Sequence, residues 1–192
     1  MLKFIVFLFA LLLSFVMGSQ AHAQTITKTE VGGFAYISIY CGTGNDEINF
    51  YGGSDDQVKI YQGTSLLELY DTTGLTVAVE CYLNSGNDTF YYAWGTTPSA
   101  NHPIFYVSGA NGSDTIHTGN APDQVLGGSD EDFIYTYGGV DDINGGDDDD
   151  DIFSGSNSDF VDGAGGAGDY LNQGGSADLS VSNVETITNP TP

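Results

Sequence analysis

The sequence is almost devoid of positive charge. Its 192 residues include only three basic side chains, all lysine, against 26 aspartates and glutamates, so the net charge at pH 7 is −23. Nucleic acids and anionic membrane surfaces are bound through clusters of basic side chains. We therefore expect no nucleic-acid partner and no binding to an anionic membrane surface. The acidic shell should also repel itself.

Catalytic motifs are lacking as well. The chain holds three histidines and has no Gly-x-Ser-x-Gly elbow, no His-Glu-x-x-His pair and no Gly-Lys-Ser/Thr phosphate loop. These absences predict that the protein is not an enzyme and has no catalytic residues. An enzyme within residues 24–108 is the weakest alternative, and loss of activity on changing His102 or Glu80 would reveal it.

Cysteine is limited to Cys41 and Cys81. An even pair in an exported chain favours a disulfide. A strand over residues 58–61 lying between the two would hold them about 9.6 Å apart, which exceeds the reach of a disulfide. Both a bonded and a free pair are compatible with the sequence.

Long apolar runs are confined to the N-terminus. Lys3 is followed by an apolar stretch over residues 4–17 and then by Ala21-His22-Ala23, a small-x-small cleavage pattern. Residues 1–23 therefore read as a secretory signal peptide, with an uncleaved anchor as the alternative. We expect a secreted or extracellular protein, with the periplasm or the cell surface as further destinations.

What the chain does contain is a short repeat. Residues 109–162 form six nine-residue units: GANGSDTIH, TGNAPDQVL, GGSDEDFIY, TYGGVDDIN, GGDDDDDIF and SGSNSDFVD. The eighth place is always a β-branched aliphatic residue. The sixth place is always aspartate: Asp114, Asp123, Asp132, Asp141, Asp150 and Asp159. A short fixed period indicates a stacked architecture.

Each unit combines a turn with a short strand. Gly, Asn, Asp and Ser in the first half suit tight turns, and one aliphatic between more polar neighbours is a minimal half-buried strand. Two units would make one coil of eighteen residues, and stacked coils would bury their aliphatics inside. The sequence thus predicts an all-β fold, a parallel β-roll or β-solenoid of two-strand coils.

The spacing sorts the aspartates onto two edges of such a stack. Asp114, Asp132 and Asp150 are eighteen residues apart on one edge, and Asp123, Asp141 and Asp159 occupy the other. Stacked strands lie about 4.8 Å apart, and calcium binds oxygen at about 2.4 Å. A calcium ion (Ca²⁺) therefore fits between two carboxylates one coil apart. The alternative, a solvated acidic array without metal, would stack like charges closely.

The units resemble the GGxGxDxUx repeat of the RTX (hemolysin-type) calcium-binding family. GGSDEDFIY and GGDDDDDIF match closely, with Asp130 and Asp148 replacing the third glycine by a residue type that tolerates the left-handed backbone. TGNAPDQVL and TYGGVDDIN depart in their turns. The resemblance implies a parallel β-roll that folds when calcium binds in the turns. Asp130 and Asp148 join the candidate metal ligands.

Residues 24–108 carry fainter copies of the same repeat. CGTGNDEIN, YGGSDDQVK and LNSGNDTFY place Asp46, Asp56 and Asp88 as further candidate calcium ligands. We interpret this region as the same stack with longer, irregular coils, and a separate small β-sandwich is the alternative. Wider coils should bury larger side chains, which predicts core positions for these aromatics: Tyr36, Tyr40, Tyr51, Tyr61, Tyr70, Tyr82, Tyr91, Tyr92 and Trp94. The alternative is an exposed aromatic ladder for carbohydrate or another surface, with Trp94 as its best candidate.

The regular region, residues 109–180, loses register after Asp162, and residues 181–192 are predicted to be a capping strand and a tail. A second function class also fits the chain: a surface adhesin that recognises an unidentified protein or glycan, with calcium only structural. A uniform outward row of Thr or aromatic residues would support it. The ninth places are mixed, which argues against such a row: His117, Leu126, Tyr135, Asn144, Phe153 and Asp162.

Overall fold

The computed structural model describes residues 24–52, 57–94, 102–174 and 177–188. The predicted signal peptide and Asp56 lie outside these ranges. Within them there is no helix, and accordingly none long and apolar enough to cross a membrane. The prediction of an all-β fold is confirmed.

Seventeen strands of the described ranges form two sheets. Sheet A contains, in spatial order, β1 (Thr25–Val31), β2 (Phe34–Tyr40), β6 (Thr76–Ser85), β8 (Ile104–Asn111), β10 (Gln124–Ser129), β12 (Asp142–Gly146), β14 (Phe160–Ala164) and β16 (Ser180–Ser182). Sheet B contains β17 (Thr186–Thr188), β15 (Tyr170–Asn172), β13 (Asp151–Phe153), β11 (Phe133–Tyr135), β9 (Thr115–His117), β7 (Thr89–Trp94), β3 (Glu47–Gly52), β4 (Gln57–Gln62) and β5 (Ser65–Asp71).

From β6 onward, successive strands alternate between the two sheets and pair in parallel. Val125 lies opposite Ile143, and Ile134 lies opposite Ile152, so each residue faces its equivalent eighteen positions later. The turn-plus-strand units produce this alternation because each turn reverses the chain direction and connects a strand of one sheet to a strand of the other. β8 crosses position 108, so both sheets continue through the predicted boundary between irregular and regular regions.

The core lies between the sheets. All six eighth-place aliphatics are buried, with exposed fractions of 2% or less. In the first half the core is filled by Phe50, Phe90 and Phe105. The prediction that the tyrosines fill it is wrong: among those with described side chains only Tyr92 is buried, and the others are half-buried or exposed. They sit at strand positions that alternate outward. The side chain of Trp94 is outside the described part.

Three strands of the first half, β1, β4 and β5, are antiparallel to their neighbours. β1 pairs with β2, and β4 and β5 continue from β3 as a meander at the end of sheet B. The two ends of YGGSDDQVK lie on the antiparallel strands β3 and β4, so its interpretation as a further coil is wrong, and residues 53–56 lie outside the described ranges. Here the chain turns back within one sheet instead of crossing to the other.

The cysteines lie closer together than the sequence suggests. β2 pairs directly with β6, with Ile39 opposite Cys81, while residues 58–61 belong to the other sheet. The expected intervening strand is therefore absent from between them. Both cysteines are buried free thiols, and burial together with the neighbouring Cys41 thiol raises the pKa of Cys81.

The C-terminal segment continues the stack instead of capping it with one strand. Its alternating residues split into β16 in sheet A and β17 in sheet B, both parallel to their neighbours. The two strands thus extend each sheet by one parallel strand. Residues 189–192 are outside the described part.

Candidate metal centre

A ladder of acidic side chains occupies the turns that lead from sheet A to sheet B. We call it the first ladder. The backbone N–H of each member donates to a carboxyl oxygen of the next member along the stack. These bonds run from Asp46 to Asp88 (2.6 Å), Asp88 to Asp114 (2.8 Å), Asp114 to Asp132 (2.8 Å), Asp132 to Asp150 (2.8 Å), Asp150 to Asp169 (2.8 Å) and Asp169 to Glu185 (2.9 Å).

A second ladder occupies the turns that lead from sheet B back to sheet A. Its bonds run from the N–H of Phe105 to Asp123 (2.8 Å), Asp123 to Asp141 (2.8 Å), Asp141 to Asp159 (2.9 Å) and Asp159 to Asp178 (3.3 Å). The aspartates thus lie on two edges, as their spacing predicts. The sequence placed an ion directly between neighbouring carboxylates, but one oxygen of each is taken by a backbone amide. Only the other oxygen is left for a cation.

That other oxygen is buried and lacks a hydrogen-bond partner at several members of both ladders. The Oδ2 atoms in this condition belong to Asp114, Asp132, Asp141, Asp150, Asp159 and Asp169. Each of these residues has an exposed fraction of 3% or less. An ionised carboxylate without a donor is expensive to bury. These oxygens therefore require a proton or a cation.

The pKa values respond to this burial. Desolvation raises the pKa of Asp114, Asp132 and Asp150 to about 7 and that of Asp141 to about 8, in opposition to the amide hydrogen bonds that lower it. Repulsion from the neighbouring carboxylates adds to the increase. In the absence of a cation, protonation at neutral pH removes the cost of burying these carboxylates in ionised form.

A backbone carbonyl supplies the second oxygen of the first-ladder sites, from glycine at three of them and from Asn183 beside Asp169. A Cβ placed on Gly109 would meet both Asp114 Oδ2 and the carbonyl oxygen of Gly127, and one placed on Gly127 would meet Asp132 Oδ2 and the carbonyl oxygen of Gly145. The same arrangement recurs at Gly145 and Gly163. A carboxyl oxygen and a carbonyl oxygen thus converge beside each glycine, where a side chain would fill the space.

The remaining predicted ligands are placed differently. Asp46 lies in the first ladder, but its oxygens accept from the Gln24 and Gln62 amides and from the Gly42 N–H, at 3.0–3.2 Å. Asp130 and Asp148 are exposed at the turns and adopt φ of 75° and 73°. The prediction that they take the left-handed backbone is confirmed, while their side chains point to solvent.

Three acidic ladder members were missed from the sequence: Asp169, Asp178 and Glu185. Asp169 follows Asp150 by nineteen residues and Glu185 belongs to no recognisable repeat, so a strict nine-residue register excludes both. A local pattern in the sequence could have identified Asp169. Asp169 directly precedes Tyr170-Leu171-Asn172, a strand triplet with a buried leucine at its centre, as Asp132 precedes Phe133-Ile134-Tyr135.

A groove of about 420 Å³ runs along the first ladder. Besides Asp114, Asp132 and Asp150 it is lined by Glu131, Asp149 and Asp151, all exposed. No group of three or more His, Cys, Asp or Glu side chains converges on one point in the described ranges. Any ion held here would therefore combine single carboxylates with backbone carbonyls.

An aromatic row on the outer face of sheet B was also missed. Tyr91, His117, Tyr135 and Phe153 are paired in register on neighbouring strands. The ninth places look mixed in the sequence because successive units face opposite sheets; on sheet B alone they are aromatic. His117 and Tyr135 stack at 5.7 Å and 8°, and Tyr135 and Phe153 at 5.6 Å and 12°.

Comparisons with protein-family models, curated proteins and solved structures found no match. The resemblance to the RTX repeat therefore stays a prediction from the sequence.

Proposed function

We propose that the protein is an exported calcium-binding β-roll in which Ca²⁺, held in the acidic turns, drives folding and stability. The observation that carries this proposal is the row of buried Oδ2 atoms without hydrogen-bond partners, four of which face a backbone carbonyl oxygen in the first ladder. A cation beside Asp132, for example, would satisfy both its carboxylate and the carbonyl of Gly145.

The donor set fits a hard cation. The two nearest atoms at the sites beside Asp114 and Asp132 are oxygens, one from the carboxylate and one from a backbone carbonyl. Calcium takes six to eight oxygen ligands in flexible geometry, whereas magnesium demands a strict octahedron and keeps several waters. Zinc favours nitrogen and sulfur ligands. Carbonyls and water would complete a calcium shell here.

Calcium binding would be coupled to folding. The sites are made of turns from successive coils, so they exist only when the coils are stacked. Binding free energy then becomes folding free energy, and the stabilisation grows with the free calcium concentration. Each ion would also reduce repulsion between stacked carboxylates. An exported chain would stay loosely folded where calcium is scarce and become ordered outside the cell.

Far-UV circular dichroism of the purified protein during a calcium titration from chelator tests this function. We expect a saturable gain of β signal at calcium concentrations where an equal amount of magnesium has little effect. A complete β signal in chelator, with neither the spectrum nor the Tm changed by calcium, would refute the proposal.

The aromatic row favours one other function, recognition of a glycan or protein by sheet B. Tyr91 and Tyr135 are at least partly accessible. However, His117, Tyr135 and Phe153 cover one another's faces, because their rings are nearly parallel. This arrangement is typical of a stabilising cross-strand stack. Recognition is therefore the second candidate.

A further inference from the structure

The two ladders differ at one position shortly before the ladder aspartate. In the regular units this residue lies five positions before the ladder aspartate. It is glycine in the first ladder at Gly109, Gly127 and Gly145, and Gly163 takes the equivalent place before Asp169. In the second ladder it is a hydroxyl residue, buried in every case: Thr118, Thr136 and Ser154.

In the second ladder threonine and serine side chains occupy the space that the glycines leave open, although Thr118 Oγ1, Asp141 Oδ2 and Asp159 Oδ2 have no hydrogen-bond partner. The Thr136 hydroxyl donates to the Ser154 carbonyl oxygen at 2.9 Å. This carbonyl is the counterpart of the Gly145 carbonyl that faces Asp132 Oδ2. The same hydroxyl lies beside the carboxyl of Asp141 and lowers its pKa against the larger effect of burial. A hydroxyl can donate to either oxygen by rotating.

The ends of the second ladder are also supplied with protein donors. Asp123 accepts from the N–H of Phe105 at 2.8 Å and from the N–H of Gly119 at 3.1 Å, so both of its oxygens are used. Ser154 donates its hydroxyl to Asp178 at 3.1 Å. A cation at this edge would have to displace a threonine or serine side chain from the space between carboxylate and carbonyl.

At the N-terminal end of the first ladder, beside Asp46 and Asp88, larger side chains fill the space. The residues in register with Gly109 are Leu83 and Cys41, and both are buried. Their side chains stand where the glycines leave room. The open positions are therefore those beside Asp114, Asp132, Asp150 and Asp169, and the acidic groove follows three of these four residues. Exposed acids along a groove raise the local cation concentration.

We propose that the cations bind on one edge only, beside Asp114, Asp132, Asp150 and Asp169, and that the threonine and serine side chains of the second ladder occupy the equivalent space on the other edge. This inference rests on the proposed calcium function and narrows it. It removes Asp123, Asp141 and Asp159, and also Asp46 and Asp88, from the metal sites. It adds Asp169.

Isothermal titration calorimetry with calcium at pH 7.5 on matched Asp→Asn variants tests the assignment. Asp132→Asn and Asp150→Asn change the first ladder, and Asp141→Asn and Asp159→Asn change the second. Asparagine keeps the oxygen that accepts the backbone N–H. At position 132 its NH₂ group can donate to the Gly145 carbonyl, so we expect the variants to fold, and circular dichroism in calcium checks each one.

We expect each first-ladder variant to bind one calcium equivalent fewer than the wild type, and each second-ladder variant to keep the full stoichiometry. An equal loss in Asp141→Asn or Asp159→Asn would overturn the one-edge assignment while leaving the calcium function intact. A wild-type protein that binds no calcium would overturn both. The two variants of each ladder keep the comparison available where one of them does not fold.

Discussion

The ladder aspartates whose Oδ2 lacks a hydrogen-bond partner use their two oxygens differently. One oxygen accepts a backbone N–H from the neighbouring coil, at 2.8 Å for Asp132, and so joins the coils. The other is buried and, in the first ladder, faces a backbone carbonyl. A single residue type thus provides a structural hydrogen bond in both ladders and a candidate cation ligand in the first.

Among the buried aliphatics, Ile134 offers the clearest residue-scale test. It is fully buried between the sheets. Ile134→Ala should lower the free energy of unfolding by about 2–5 kcal/mol, because it removes buried methyl groups and leaves a cavity. Urea unfolding in saturating calcium measures this loss. Ile104→Ala, at a position that is 40% exposed, is the control, and a similar loss in both variants would contradict the assignment of the core.

The sequence was sufficient to predict which residues alternate inward, because one aspartate column and one aliphatic column fix the register. The sequence was insufficient to predict what contacts the second carboxyl oxygen of each aspartate. The difference between Gly127 and Thr136, each five residues before its ladder aspartate, can be interpreted only when the carbonyl eighteen residues later is placed opposite it. That contact joins residues eighteen positions apart.

Strands as short as three residues form sheet B in its regular part. Such strands are weak individually, and their outward aromatic side chains add cross-strand contacts. Tyr135 lies at the centre of this row, with His117 and Phe153 on either side and the Tyr137 ring at 4.2 Å. The row therefore stabilises the stacking of coils along the sheet.

Tyr135→Ala should destabilise the protein by about 1–3 kcal/mol, since aromatic pairs contribute about 0.5–1.5 kcal/mol each. Thermal unfolding in saturating calcium measures the effect. Asn144→Ala, at the equivalent ninth place on sheet A, should change the stability by less than about 0.5 kcal/mol. A Tyr135→Ala protein of wild-type stability would show that the row is not a stabilising element.

Element order was predicted well where the chain repeats and poorly where it does not. The units of residues 109–162 fold as alternating strands, whereas the Asp56 segment precedes a hairpin strand and the C-terminal segment forms two strands instead of one. Turn composition is the same in a hairpin and in a crossing turn. The direction in which the chain leaves the turn depends on which sheet has an open edge, and this is decided by packing.

At the scale of the whole molecule, charge dominates. The net charge is −23, and the ion pair of Lys28 with Glu30 at 2.6 Å neutralises very little of it. Buried carboxylates add a cost that depends on pH. Their pKa values in the folded state, about 6 for Asp123 and Asp159 and about 8 for Asp141, exceed the ordinary value. Folding therefore favours their protonated form.

The sign of the pH dependence follows from linkage. Groups whose pKa is higher in the folded state than in the unfolded state stabilise the protein below the unfolded value, about 4, and lose this contribution as the pH rises through the folded values of about 6 to 8. Without metal, the protein should therefore be more stable at pH 5 than at pH 8. Calcium binds ionised carboxylates, so the stabilisation by calcium should increase as the pH rises.

The most direct test of the central claim is the Tm in chelator and in saturating calcium, measured from pH 5 to pH 8. We expect the Tm in chelator to fall as the pH rises, by about 2–4 °C for each kcal/mol lost, and the calcium-induced increase to be largest at pH 8. Asp142→Asn, at an exposed position, should leave both trends unchanged. A Tm in chelator that is constant or rises toward pH 8, with no effect of calcium, would show that the ladder carboxylates need neither proton nor cation.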